Sequence, residues 1–253
     1  MEIQRILDKY DRLMDEKEFD EAGRHLDYWI AEAESTGDDR SVFTLLNELV
    51  GFNRMQGRKA ETLSAIDRLL KTTEQMELTD TVSGATAYIN AATGYKSVDM
   101  AAEALPLYEK ALVIYERDLA PFDTRISALY NNMALSLMAL KDYDRSREFY
   151  LKALDILAKN ENSENEQAIT LLNLADLTEK TMPQEEAERK IAEYIEKAKE
   201  KLDESFAKKS SGFKFTAEKC IPAIKYHGYF LVALDLEKKI SEKEVDLPIY
   251  PIV

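Results

Sequence analysis

One spacing recurs along the chain and limits its possible folds more than any other feature. Four small residues lie 42, 42 and 41 positions apart along the chain. Two further sets of four buried-type residues, each set called a row here, have the same spacing. Three rows that share one period predict a supersecondary unit that is copied and stacked on itself. The rows are Thr62, Ala104, Ser146 and Ala187; Val50, Ala92, Ala134 and Ala175; and Ile66, Tyr108, Tyr150 and Ile191.

The unit is clearest in residues 129–157, LYNNMALSLMALKDYDRSREFYLKALDIL. Apolar residues at three-and-four spacing form one stripe before the turn Lys141-Asp142 and a second stripe after it, which predicts two amphipathic helices. The small residues Ala134 and Ser146 lie where the helices must approach closely. Such a pair cannot bury its apolar faces alone, so it needs a neighbour on each side.

The order of small and aromatic residues around this turn resembles the tetratricopeptide repeat. The phrases EALPLYEKAL (103–112) and LYNNMAL (129–135) are similar to the longer repeats of kinesin light chains and their bacterial relatives. The resemblance covers roughly residues 1–205. It implies an all-α, right-handed α-solenoid, a superhelix of antiparallel helix pairs in which the first helix of each pair lines a concave groove.

We predict repeats over residues 1–206, as five helix pairs of which the first is degenerate. Residues 207–253 are predicted to form a capping helix pair and an extended tail of the same solenoid. The Gly/Ser-containing stretch 207–215 predicts a linker or loop. One helix is expected from Thr216 to about Val232, bent or interrupted near Pro222, and a short one from Asp235 to Glu244.

The tail Leu247–Val253 holds two prolines and five large apolar residues. The prolines argue against a helix there. We expect the apolar residues to lie on the last helices or on a neighbouring molecule.

Composition excludes several classes of partner. The net charge of −14 argues against nucleic acid, because affinity for phosphate comes from Lys and Arg. No apolar stretch is long enough for a membrane span, and the first residues do not resemble a secretory signal. The single cysteine, Cys220, suits a reducing compartment. These features together predict a cytoplasmic protein, with basic or neutral partners.

No known catalytic, cofactor or metal pattern occurs in the sequence. His25 and His227 lack a further ligand at metal-site spacing, and no phosphate-binding glycine motif is present. Cys220 has no histidine close in sequence, which favours a buried apolar role. We therefore expect a non-catalytic protein without cofactor or metal.

The groove-facing residues follow from the register that the resemblance implies. They lie two or three positions before the small residue of each first helix, and an asparagine occurs there in every regular repeat. An amide offers both a donor and an acceptor, so this ladder can pair with the backbone of an extended peptide. The alternative is that asparagine is only a neutral residue on a solvated face. The predicted peptide-binding residues are Asn47, Arg54, Asn90, Lys96, Asn131, Asn132 and Asn173.

Charge along the predicted groove is uneven. Arg54 and Lys96 lie toward one end, and Asp176 and Glu179 toward the other. Related repeats grip a terminal carboxylate with Lys and Arg, but too few cations are present here for a full clamp. The sequence thus predicts a scaffold that binds a protein or peptide. A homo-oligomeric assembly module, joined into a homodimer through the solenoid end or the tail, is the alternative.

Overall fold

Helices account for the regular structure of the chain. The computed structural model describes residues 2–245, with side chains described to residue 242, and no strand occurs in this part. The predicted fold class, an all-α helical-repeat solenoid, is confirmed. The chain divides into two compact units, Met1–Ala120 and Pro121–Val253.

Each unit is built from antiparallel helix pairs that stack on one another. In the first unit α2 packs against α3 and α4 against α5; in the second, α8 packs against α9 and α10 against α11. The first unit contains α1 (Ile3–Asp15), α2 (Phe19–Thr36), α3 (Asp39–Met55), α4 (Lys59–Gln75), α5 (Val82–Ser97) and α6 (Ala101–Asp118). The second contains α7 (Thr124–Ala139), α8 (Tyr143–Leu157), α9 (Glu164–Thr181), α10 (Gln184–Ala207), α11 (Phe213–Tyr226) and α12 (Phe230–Val245).

The predicted register is confirmed by burial. All twelve residues of the three sequence rows are buried, and most of them are fully enclosed. The small residues allow the helices of a pair to approach closely: the Ser146 hydroxyl on α8 donates to the Ala134 carbonyl on α7 at 2.8 Å. Large side chains such as Tyr108 and Tyr150 fill the remaining space.

The turns inside the first four helix pairs share one conformation. Lys17, Gly57, Asp99 and Lys141 each take a positive φ, between 60° and 67°, two residues before the second helix begins. The next N–H then donates to the carbonyl five residues back, as Asp142 does to Leu137 at 2.9 Å. This is the left-handed helix end that satisfies otherwise unpaired carbonyls.

The last helix pair differs from the sequence prediction. The connection after α10 spans only residues 208–212, because α11 already begins at Phe213. Of the bend or interruption predicted near Pro222, the interruption does not occur: Pro222 lies inside α11 and is exposed. The chain instead breaks at Gly228, whose φ of 86° ends the helix. As a consequence α12 starts at Phe230 rather than at Asp235.

Two further predictions concern the C-terminal tail and membrane-spanning helices. The expected contacts of the tail Leu247–Val253 lie outside the described residues. Among the helices of residues 2–245, none combines the length and the apolar character that crossing a bilayer requires.

Candidate functional site

Three of the four helices that carry the predicted groove residues begin at a side-chain cap. The Asp38 carboxylate accepts from the Ser41 N–H at the start of α3, and the Thr81 hydroxyl accepts from the Gly84 N–H at the start of α5, both at 3.1 Å. The Asp123 carboxylate accepts from the Arg125 N–H at 2.9 Å at the start of α7. These caps fix where each helix begins and therefore which side chains share a face.

In the first unit, two predicted groove residues contact each other directly. The Asn90 amide on α5 donates to the Asn47 amide oxygen on α3 at 2.8 Å. The Asn47 amide donates in turn to the Phe43 carbonyl at 2.8 Å. Both side chains are half-buried. The two asparagines thus connect neighbouring repeats, with part of their hydrogen-bonding capacity already in use.

The two predicted groove cations of the first unit also lie close together. Arg54 and Lys96 occupy the last turns of α3 and α5. Burial lowers the pKa of Lys96, and the nearby charge of Arg54 lowers it further. Glu48, one residue beyond Asn47, is half-buried, and its pKa is raised by burial and by Asp11. Polar and charged groups of both signs therefore lie on these first helices.

In the second unit, the predicted asparagines fall into two groups. Asn131 on α7 is bonded to the Thr170 hydroxyl on α9, with the amide nitrogen 2.9 Å from the oxygen. Asn132 on α7 and Asn173 on α9 are half-buried. Neither of their side chains has a hydrogen-bond partner among the residues that the structure describes. These two amides therefore keep donors and acceptors that no described residue uses.

The turn between α11 and α12 engages the acidic residues of α9, which the sequence did not reveal. The His227 ring nitrogen Nε2 lies 2.9 Å from an Asp176 carboxylate oxygen, and the His227 side chain is only 3% exposed. A hydrogen bond to Glu179 raises the pKa of Tyr226. The members of the histidine–aspartate pair are 51 positions apart in the sequence, which places them beyond any local sequence pattern.

A metal-binding cluster and the single cysteine would be further candidate sites in the described residues. Over the described residues, no cluster of His, Cys, Asp and Glu could hold a metal ion. Cys220 is buried in α11, and burial raises its pKa to about 12. A thiol that stays protonated is a poor nucleophile.

Comparison with known proteins identifies the class of fold. Residues 125–200 match the family model described as Tetratricopeptide repeat, so the predicted resemblance is confirmed for this segment. The segment includes nearly all of α7 and extends into α10. Among curated proteins, no sequence matches the chain.

Solved structures share the fold over most of the chain. Putative kinesin light chain repeats from Podospora anserina are 14% identical, with 81% of this chain and 96% of that chain covered and a TM-score of 0.50. The apo form of RapI is 14% identical, with 96% and 98% covered and a TM-score of 0.65. NprR in complex with its cognate peptide NprX is 14% identical, with 98% and 75% covered and a TM-score of 0.57.

At these identities the comparison establishes the fold alone. That fold is the tetratricopeptide-like stacking of helix pairs, including the kinesin light chain style of repeat that the sequence resembles.

Proposed function

We propose that the chain is a non-catalytic, cytoplasmic scaffold that binds a protein or an extended peptide along the first helices of its repeats. One observation carries the proposal: Asn132 and Asn173 occupy the same register position on α7 and α9, and neither amide has a described partner. A half-buried amide without a partner is well suited to pair with a peptide N–H and C=O.

Two further features support the proposal. The structural neighbour NprR was solved with its cognate peptide, so this kind of fold accommodates a peptide in at least one protein. Within the first unit, the neighbouring cations Arg54 and Lys96 would attract an acidic group of a ligand bound there. The net charge of −14 favours a partner that is otherwise neutral or basic.

The asparagines are unequal candidates for mutation. Replacing Asn90 would also remove its hydrogen bond to Asn47, so a change in binding would be mixed with a change in stability. Asn132→Ala and Asn173→Ala avoid this problem, because neither side chain has a described partner. Gln75→Ala is a matched amide control on the second helix α4, where the side chain is exposed.

The test begins with affinity capture of the partner on the wild-type protein, followed by calorimetry with the partner that is recovered. Each of the variants Asn132→Ala and Asn173→Ala should weaken binding by about 0.5–1.5 kcal/mol. Melting temperatures should not fall, because alanine is a better helix former than asparagine. Gln75→Ala should bind like the wild type. Equal affinity of the wild type and the Asn132/Asn173 double variant would contradict the proposal.

A further inference from the structure

A long cleft lies between α1 and α2 in the first unit, with a volume of about 1190 Å³. On α1 the lining residues run from Glu2 to Arg12, and on α2 they run from Glu21 to Trp29. They recur at three-and-four spacing on both helices, so the cleft follows the helix axes. Its α1 side extends about 15 Å, close to three helical turns. We call this feature the α1–α2 cleft.

The floor of the α1–α2 cleft is apolar and aromatic. Ile6 is buried, and His25 and Trp29 are half-buried. The His25 ring nitrogen Nε2 donates to the Ile6 carbonyl at 2.9 Å, which joins the two helices at the base of the cleft. The Trp29 ring meets His25 and Tyr28 edge to face, with ring centroids 6.3 Å and 5.2 Å apart. Such a floor is suited to bury apolar side chains of a partner.

The rims of the cleft carry more cations than carboxylates, although the net charge of the chain is −14. Four cations and three carboxylates line the cleft. The cations are Arg5, Lys9, Arg12 and Arg24, and the carboxylates are Glu2, Asp8 and Glu21. Each of these carboxylates lies within 4.0 Å of a cation or an amide of the same two helices.

Two guanidinium groups of the rims are not engaged in the same way. Arg12 on α1 and Arg24 on α2 are exposed. Neither side chain has a hydrogen bond or an ion pair with a described residue. A carboxylate of a partner could therefore pair with either guanidinium without breaking an existing ion pair.

We propose that the α1–α2 cleft binds an acidic amphipathic helix of a partner protein. An apolar stripe on that helix lies on the floor of the cleft. Carboxylates on either side of the stripe meet Arg12 on one rim and Arg24 on the other. A groove along two helices accepts a third helix by the packing that helices use with one another. None of the predicted groove residues lines this cleft, so the inference does not depend on the proposed function.

The carboxylates of the cleft favour a protein helix over a polyanion. Nucleic acid and anionic lipid surfaces present closely spaced phosphates, which Glu2, Asp8 and Glu21 would repel. A helix can instead place its carboxylates only beside the guanidinium groups. The net charge of −14 adds a long-range repulsion of polyanions.

The test uses the full-length protein and a designed helical peptide of about 15 residues, long enough to span the cleft. The peptide carries leucines at three-and-four spacing, flanked by glutamates, and no aromatic residue. A control peptide has lysine in place of every glutamate. Calorimetry measures affinity. The emission of Trp29, the single tryptophan of the chain, reports whether the peptide lies in the cleft.

The protein variants are Arg12→Gln combined with Arg24→Gln, and the matched control Arg40→Gln. Arg40 is exposed on α3, and its side chain also has no described partner. Circular dichroism confirms that each variant is folded. Vesicles that contain anionic lipid are tested in parallel with the peptides.

We expect the glutamate peptide to bind and to shift the Trp29 emission to shorter wavelength. The lysine peptide should bind at least about tenfold more weakly, because like charges would then face each other. The double variant should bind the glutamate peptide about fivefold more weakly than the wild type, and Arg40→Gln should bind it equally well. Added salt should weaken binding, because it screens the attraction.

Several results would overturn the proposal. They are failure of the glutamate peptide to bind, binding without a change in Trp29 emission, equal affinity for the two peptides, and unchanged affinity of the double variant. A Trp29 response to anionic vesicles but not to the glutamate peptide would also overturn it, and would assign the cleft to a lipid surface.

Discussion

At the scale of single residues, side chains at equivalent positions of different repeats differ in their hydrogen bonding. Tyr108 and Tyr150 occupy the same register position, and both are fully buried. The Tyr108 hydroxyl lies 2.9 Å from the Thr93 hydroxyl. The position equivalent to Thr93 in the next repeat is Leu135, and the Tyr150 hydroxyl has no hydrogen-bond partner among the described residues. The buried tyrosine is thus kept from one repeat to the next, whereas the position of its hydrogen-bond partner changes from threonine to leucine.

Because of this difference, replacing tyrosine by phenylalanine should have different effects on stability at the two positions. Tyr108→Phe should lower the free energy of unfolding by about 0.5–1.5 kcal/mol, because the Thr93 hydroxyl loses a partner. Tyr150→Phe should be neutral or stabilising, because it removes a buried hydroxyl that has no described partner. Urea unfolding of the two variants provides the measurement. Equal destabilisation by both changes would show that the Tyr150 hydroxyl is hydrogen-bonded in solution.

Tyr10 should make stability sensitive to alkaline pH. Burial, reinforced by the charges of Glu48 and Asp11, raises its pKa to about 12, whereas an unfolded tyrosine ionises near pH 10. The stabilising contribution is therefore complete below about pH 10 and is lost as pH rises through about 12.

Between these values, the free energy of unfolding of the wild type should fall more steeply than that of Tyr10→Phe, by about 2 kcal/mol in total. Urea unfolding of both proteins at a series of alkaline pH values measures the difference. Parallel curves would rule out a role for Tyr10.

The sequence predicted the buried rows but not which of the groove amides are already hydrogen-bonded within the protein. Burial of Ala134 or Ile66 follows from periodicity, which depends only on the helix repeat. Whether an asparagine is free depends on the side chains across a neighbouring repeat. Asn90 meets Asn47 at a separation of 43 residues, one more than the repeat period. No spacing rule anticipates such a contact, so only the structure separates Asn132 and Asn173 from the others.

At the scale of helices, local signals determined most boundaries. The turn at Lys141-Asp142 was predicted correctly because the hydrophobic period is interrupted there. The last pair was predicted poorly, because Pro222 and Gly228 are both helix-breaking residues within a few positions of each other. A proline inside a helix has no N–H to donate, so the carbonyl four residues earlier loses its partner, and at an exposed position water can replace it. Gly228, by contrast, takes a left-handed conformation at little cost. The glycine therefore ends the helix.

Two glycines in first helices should respond oppositely to alanine. A Cβ on Gly84 would lie 1.9 Å from the Leu78 carbonyl oxygen, which crosses the first turn of α5. Gly84→Ala should therefore destabilise the protein by about 1–3 kcal/mol. Gly51, inside α3, has no atom within 4 Å of such a Cβ. Gly51→Ala should stabilise by about 0.5–1 kcal/mol. Thermal melts of the two variants check both signs, and a stable Gly84→Ala protein would show that the loop before α5 yields easily.

At the scale of the whole molecule, we expect each of the two compact units, Met1–Ala120 and Pro121–Val253, to be stabilised largely by contacts within itself. In a helical-repeat fold each pair is stabilised mainly by its own packing and by its nearest neighbours. The first unit contains its own core, with Leu26, Leu45 and Ile66 fully enclosed. The second contains Tyr150, Leu174 and Phe213, which are equally enclosed.

We therefore predict that fragments 1–120 and 121–253 each fold when expressed separately. Each should give a helical circular dichroism spectrum and a cooperative thermal transition. A cut at residue 140 is the matched control: it separates α7 from α8 and exposes Ala134 and Tyr150, so fragments 1–140 and 141–253 should be less helical and less cooperative. If the fragment 121–253 also binds the captured partner, and loses it on Asn132→Ala, then the amides of the second unit are sufficient for recognition. An unfolded 1–120 fragment would show that its pairs need the rest of the chain.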